Sequence, residues 1–328
     1  MNFFDILSEI EKVDPEVYGR LDSRRSIFKH MSGVGQKLTA AALPLFVGAV
    51  FNKAYAQTPG SLAVADVLTF ALKLEYLEMY FYMQRTALTG LSSVNATALS
   101  LIATDEANHV KFLRATLTSL GGTVLADPTV AAFDFTGGKG TQAGPFSDYR
   151  TNPATYLALA QSFEDTGVRA YKGAAPISSV MANKTVLTAA LNIHSVEARH
   201  ASHIRSMRRA GATSATPSQG IAVSPYSAAP KSWVSGTDGG GAVPGTTNAI
   251  YGAGNSSGAG TAANGTYLAE DNTLQGGLTL STSTSPAFSG FPATAFSEAF
   301  DEGLDVKTVA TIANLFVVTG NNLFSVYL

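Results

Sequence analysis

Glu106 and His109 stand three positions apart in "DEANHVKFL", and Glu197 and His200 repeat that spacing in "VEARHASHI". A helix brings positions i and i+3 to one face, so each pair presents a carboxylate and an imidazole to a common point. A single Glu-x-x-His is weak evidence, since such pairs are common on solvated surfaces. Here, however, a lone glutamate precedes each pair inside an apolar helical stripe. Glu75 lies 31 residues before Glu106, and Glu164 lies 33 residues before Glu197. Together the six residues supply four carboxylates and two imidazoles, the ligand set of a dinuclear site in a four-helix bundle. Oxygen ligands combined with imidazole suit iron or manganese. Burying these charges without a cation would be costly, which favours coordination over a polar surface patch.

Four helices must position them. The apolar period places Leu68, Leu72, Glu75, Met79 and Tyr82 on one face of a helix from about residue 61 to 90. Leu99, Ile102, Glu106, His109 and Leu113 form the stripe of a second, from about 93 to 120. The third starts at Asn152-Pro153, a cap followed by a proline suited to the first turn, and turns Leu157, Ala160, Gln161, Glu164, Val168 and Tyr171 inward. The fourth spans about 183 to 209, with Ile193, Glu197, His200, Ile204 and Met207 aligned. The first and third connections are short, which makes their helices antiparallel neighbours. The second has thirty-odd residues and can cross the whole bundle.

The two helix pairs are also a repeat. Tyr82 and Tyr171 each follow the lone glutamate by seven positions, and Arg114 and Arg205 each follow the paired glutamate by eight. The match fails at Glu78, one turn after Glu75: it could serve as an entry-site or alternative ligand, but its counterpart is Gly167, which places it outside the symmetric site. Asp105 and Asp165 adjoin ligands in sequence and therefore fall on another face, solvated or between helices. His194 and His203 flank the second pair by one turn and are read as neighbours of the ligands or surface groups. Tyr82 and Tyr171 are read as packing residues able to donate to the glutamates.

With 328 residues, 45% of them hydrophobic, the chain can bury at least one full core. Cysteine is absent, which excludes disulfides, thiolate metal sites and Cys nucleophiles. A net charge of −2 and only 14% charged residues leave no basic surface for nucleic acid.

"LEYLEMYFY" and "DEANHVKFL" carry a resemblance to ferritin-like domain proteins, of the exported bacterial branch related to plant desiccation-related proteins. The resemblance implies an all-α, ferritin-like four-helix bundle with a long second crossover and a loop-rich C-terminal extension with short helices. It implies Glu75, Glu106, His109, Glu164, Glu197 and His200 as ligands of two Fe or Mn ions, with Glu106 and Glu197 bridging. Its implied activity is Fe(II) oxidation with O2 or peroxide, in protection against oxidative or desiccation stress. The alternative is a structural or protective protein whose metals only stabilise the fold. A homo-oligomer is compatible with either.

At the N-terminus, Arg24-Arg25, the apolar run 38–51 and Ala54-Tyr55-Ala56 resemble a twin-arginine export signal. The run is too short for an ordinary membrane-spanning helix. Three segments follow: a leader over 1–56, the bundle over 57–211 and a Gly/Ser/Thr-rich extension over 212–328 that packs on the bundle. The mature chain is expected to lack a membrane span and to reach the periplasm or cell surface. In the extension, "DVKTVATIANLFVV" reads as a helix capped by Asp305, while Glu270-Asp271 and Asp301-Glu302 read as solvated surface groups ahead of the alternative of cation binding.

Overall fold

The computed structural model describes residues 62–210, 231–236, 248–255, 266–275, 277–280 and 290–328. The expected leader over 1–56 lies outside them. Helix α1 is Val64–Met83, and a 3-10 turn, Gln84–Ala87, then leads to Gly90 at φ +82°. Helix α2 is Ser93–Ser119, where the Ser92 hydroxyl accepts from the Asn95 amide at 3.1 Å. Its last turn closes when the Gly122 amide donates to the Leu117 carbonyl at 2.9 Å, with Gly121 in the left-handed region. Helix α3 is Pro153–Ala174, with Asn152 accepting from the Ala154 amide at 3.0 Å as the sequence suggests. A one-turn helix that the pattern does not reveal, α4 at Ser178–Ala182, precedes α5, Lys184–Ala210.

The chief packing pairs are α1 with α2 and α3 with α5. The architecture is the all-α four-helix bundle with a long second crossover that the periodicity predicts. Leu72, Phe81, Leu99 and Ile204 are fully buried between the helices, and each such side chain contributes about 1.5–3 kcal/mol by leaving water. Phe81 anchors an aromatic cluster, stacked on Tyr156 at 4.5 Å and edge-on to Phe163 at 4.8 Å. No helix among the described residues is long and apolar enough to cross a membrane.

The crossover is held by a buried aspartate and by the C-terminal strand of chain. Asp134 accepts from the Thr136, Gly140 and Gln142 amides, and Phe133 bridges Val317. Asp305 caps α7, Val306–Ala313, by accepting from the Thr308 amide at 3.0 Å, again as expected. Another compact unit contains residues 271–300, with a two-stranded hairpin, β1 Leu274–Gln275 and β2 Leu278–Thr279, and α6, Ala293–Ser297.

One helix departs from the simple inward-stripe picture. Helix α3 is buried without interruption from Tyr156 to Tyr171, because C-terminal chain covers the face opposite the bundle core. Arg169, on that face, donates to the carbonyls of Ile250, Gly252, Leu268, Glu302 and Gly303 and pairs with Glu270 at 2.8 Å. Glu270 is therefore buried, a correction to its reading as a surface group. Asp165 is buried between helices, one of the two placements read from sequence, accepting from Arg205 and from the Tyr251 hydroxyl. Gly173 permits this covering: a Cβ there would stand 1.8 Å from the Leu304 carbonyl oxygen.

Candidate metal centre

Each of the four long helices turns glutamate inward at one level. Glu75 comes from α1, Glu106 and His109 from α2, Glu164 from α3, and Glu197 and His200 from α5. All six side chains are buried, the four carboxylates completely. His109 Nδ1 stands 3.1 Å from Glu75 Oε2, 3.1 Å from Glu106 Oε2 and 3.3 Å from Glu197 Oε1. His200 Nδ1 stands 2.9 Å from Glu106 Oε1 and 3.3 Å from Glu164 Oε2. Glu106 thus directs one oxygen to each imidazole.

The six residues form two overlapping groups. Glu75, Glu106, His109 and Glu197 bring one ligand atom each within 4.8 Å of one another, and so do Glu106, Glu164, Glu197 and His200. Glu106 and Glu197 belong to both. One imidazole nitrogen cannot donate to three carboxylates at once, yet that is what His109 faces. Five atoms of the cluster, Glu106 Oε1, Glu164 Oε2, both oxygens of Glu197 and His200 Nδ1, make no hydrogen bond despite burial. Convergent carboxylate oxygens that outnumber the donors facing them fit a pair of cations, which would satisfy them.

The surrounding groups keep the twofold repeat. The Tyr82 hydroxyl crosses the bundle to donate to Glu164, and the Tyr171 hydroxyl donates to Glu75. These tyrosines therefore orient the carboxylates, the donor role that the sequence offers beside packing. Arg114 donates to the Tyr76 hydroxyl at 2.7 Å and Arg205 to Asp165, so each arginine reaches the residue following a lone glutamate. The symmetry breaks at Asp105, whose Oδ2 stands 3.1 Å from His200 Nε2 and orients that ring. Asp105 was legible only as a neighbour of Glu106. His194 Nδ1 lies 3.0 Å from the Val168 carbonyl oxygen, and neither His194 nor His203 joins the two groups.

Replacing either tyrosine with Phe removes a donor from one carboxylate while keeping the ring. The expected result is a roughly 10- to 100-fold loss of metal affinity, the usual cost of removing a group that orients a ligand. A chelator-competition titration with Mn(II) would measure it.

Electrostatics explain what balances the cluster when no cation is bound. Burial pushes Glu106 up to about 8, with the charge of Glu197 adding and the imidazole contacts opposing. Burial likewise leads in raising Glu197 to about 8. Burial pulls His200 down, but Glu164 and Glu106 outweigh it and push the imidazole up to about 12. His109 is raised in the same way by Glu106, Glu197 and Glu75. Protons thus neutralise the site in place of metal.

All four folded-state values lie above the unfolded ones, so the stability these groups contribute is complete at low pH. It is lost as pH rises from the ordinary carboxylate range through about 8, and further as the imidazoles deprotonate. The melting temperature of protein stripped by a chelator is expected to fall between about pH 5 and about pH 9, while the gain on adding Mn(II) rises. Differential scanning calorimetry with and without Mn(II) checks both slopes.

No curated protein and no solved structure matches the chain. The model of one family does match, that of the ferritin-like domain, over residues 63–210. That stretch contains all four long helices and the six convergent side chains, so the chain's similarity to the ferritin-like domain covers the bundle and its carboxylate–imidazole cluster.

Proposed function

We propose that the protein is an exported dimetal carboxylate protein that oxidises Fe(II) with O2 or peroxide, limiting oxidative damage or damage on drying. The observation that carries the reading is the pair of overlapping buried groups with Glu106 and Glu197 common to both. Glu75, Glu106, His109 and Glu197 would hold one ion, and Glu106, Glu164, Glu197 and His200 the other. Two Fe or Mn ions held so would supply electrons to a bound oxidant. The chain supplies the rest. Glu106 and Glu197 would serve both ions, the tyrosines fix Glu75 and Glu164, and the buried setting excludes bulk water. Carboxylates can bind through one oxygen or two, which lets them follow changes in charge.

A second reading is favoured by the origin of the ligands on all four helices: bound ions would then staple the bundle, and oxidation would be incidental. The discriminating experiment adds Fe(II) at two equivalents per chain under O2 and follows oxygen consumption. Consumption well above that of the same Fe(II) in buffer supports oxidation. A buffer-level rate with both ions bound leaves only the staple.

Export rests on Arg24-Arg25, the apolar run 38–51 and the Ala54-Tyr55-Ala56 pattern. N-terminal sequencing of the secreted protein is expected to begin at Gln57, and Met1 at that end would refute cleavage.

A further inference from the structure

The two helix pairs meet along α2 and α5, which pack little against each other. Between them lies a cavity of about 610 Å³, walled by Val94, Ala98, Leu101 and Ile102 of α2 and by Arg199 and His203 of α5. That volume falls within the roughly 300–1,000 Å³ of small-molecule sites. The α2 wall is apolar, and its outer part takes no share in the core: Val94 is 52% exposed and Leu101 63%. Asp105 and His200 line the cavity where it approaches the candidate metal centre. His200 Nδ1 stands 2.9 Å from Glu106 Oε1, while Nε2, on the far side of the ring, stands 3.1 Å from Asp105 Oδ2. One imidazole ring therefore separates the contents of the cavity from the buried carboxylates.

Charge and size decide what fits. Asp105 has a partner in His200, whereas Arg199 is exposed and, among the described residues, makes no hydrogen bond or ion pair. A free guanidinium beside apolar walls is matched by a carboxylate joined to an apolar body, since the planar fork takes both carboxylate oxygens at once. Ten residues line the cavity, against the roughly 20–30 a side of a specific protein interface, so the occupant is a compact molecule. We propose that this cavity binds a small organic anion, its apolar part along Val94, Ala98 and Leu101 and its carboxylate paired with Arg199. The site is formed by the fold alone and goes beyond the dimetal reading. A molecule held there covers the contact between Asp105 and His200 and shields that imidazole from water.

The test is isothermal titration calorimetry of the chelator-treated full chain with octanoate and with its neutral counterpart octanamide, on wild type, Arg199→Gln and Ala98→Trp. Wild type is expected to bind one octanoate with a Kd of about 1 mM or tighter, and octanamide at least about tenfold more weakly. Arg199→Gln should abolish that preference by weakening octanoate alone. Ala98→Trp fills the cavity and should abolish binding of both. Failure of octanoate to bind wild type, equal binding of octanamide, or retention of binding by folded Ala98→Trp overturns the proposal. Undiminished octanoate binding by Arg199→Gln does so too, and this variant decides if Ala98→Trp fails to fold, judged by circular dichroism, because Arg199 is exposed and carries none of the core. Self-association that Leu101→Asp abolishes, with no octanoate bound, would assign the face to a second copy and likewise overturn it. None of these outcomes touches the dimetal reading, which stands or falls on metal stoichiometry.

Discussion

Replacing Glu197 with Ala is expected to abolish binding of both metal ions, whereas replacing Glu75 with Ala should weaken only one. The difference follows from geometry: Glu197 offers a ligand atom to both groups and Glu75 to one. Removing a group that merely orients a ligand costs roughly 10- to 100-fold in affinity, so losing a shared ligand should cost at least about 100-fold. Fe(II) oxidation should fall to the rate in buffer. The bundle should nevertheless remain folded. Without metal, Glu197 is a fully buried carboxylate, and removing it relieves the cost of its burial and its repulsion with Glu164 and Glu75, which together outweigh the lost contact with His109. The metal-free melting temperature of Glu197→Ala is therefore expected to equal or exceed that of wild type. Metal titration and calorimetry on one preparation read both effects, and a variant that still binds two ions tightly would refute the shared role.

Replacing Arg169 with Ala should have the largest effect on stability. The guanidinium satisfies carbonyls from residues 250, 252, 268, 302 and 303 and neutralises buried Glu270. Its removal leaves a buried carboxylate without its cation and several carbonyls without a donor, a change that costs about 3–5 kcal/mol. For a chain of this size the melting temperature should drop by roughly 10 °C. Arg169 faces away from the metal cluster, so metal stoichiometry should stay at the wild-type value. Added protease should cut the C-terminal chain first. A loss under about 1 kcal/mol would mean that the covering segments hold without this anchor.

The convergent cluster of six side chains was legible because its residues obey one local rule. Glu106 with His109, and Glu197 with His200, lie on apolar stripes of period 3.6, and the repeat ties them to Glu75 and Glu164. Caps at Asn152 and Asp305 were legible for the same reason, since each acts within three residues. Arg169 and Glu270 were not. Their burial depends on chain 80 to 130 residues distant in sequence, and a charged residue opposite a helix's apolar stripe has the local signature of a solvated one. Tyr82 and Tyr171 fall between: the spacing showed that they repeat, but not that each crosses to the other half's glutamate. Glu78 was set aside because it broke the repeat, and the structure places it at the edge of the cluster, with its charge acting on Glu197, Glu106, Glu75 and Glu164.

The dimetal assignment has six side chains on four helices binding two metal ions through two common carboxylates. Its most direct test is anaerobic loading of the full chain with excess Fe(II), gel filtration to strip weakly held metal, and determination of iron per chain. Two irons in wild type, and none in Glu197→Ala, are the expected result. Wild type emerging without iron, or Glu197→Ala retaining two, would contradict it.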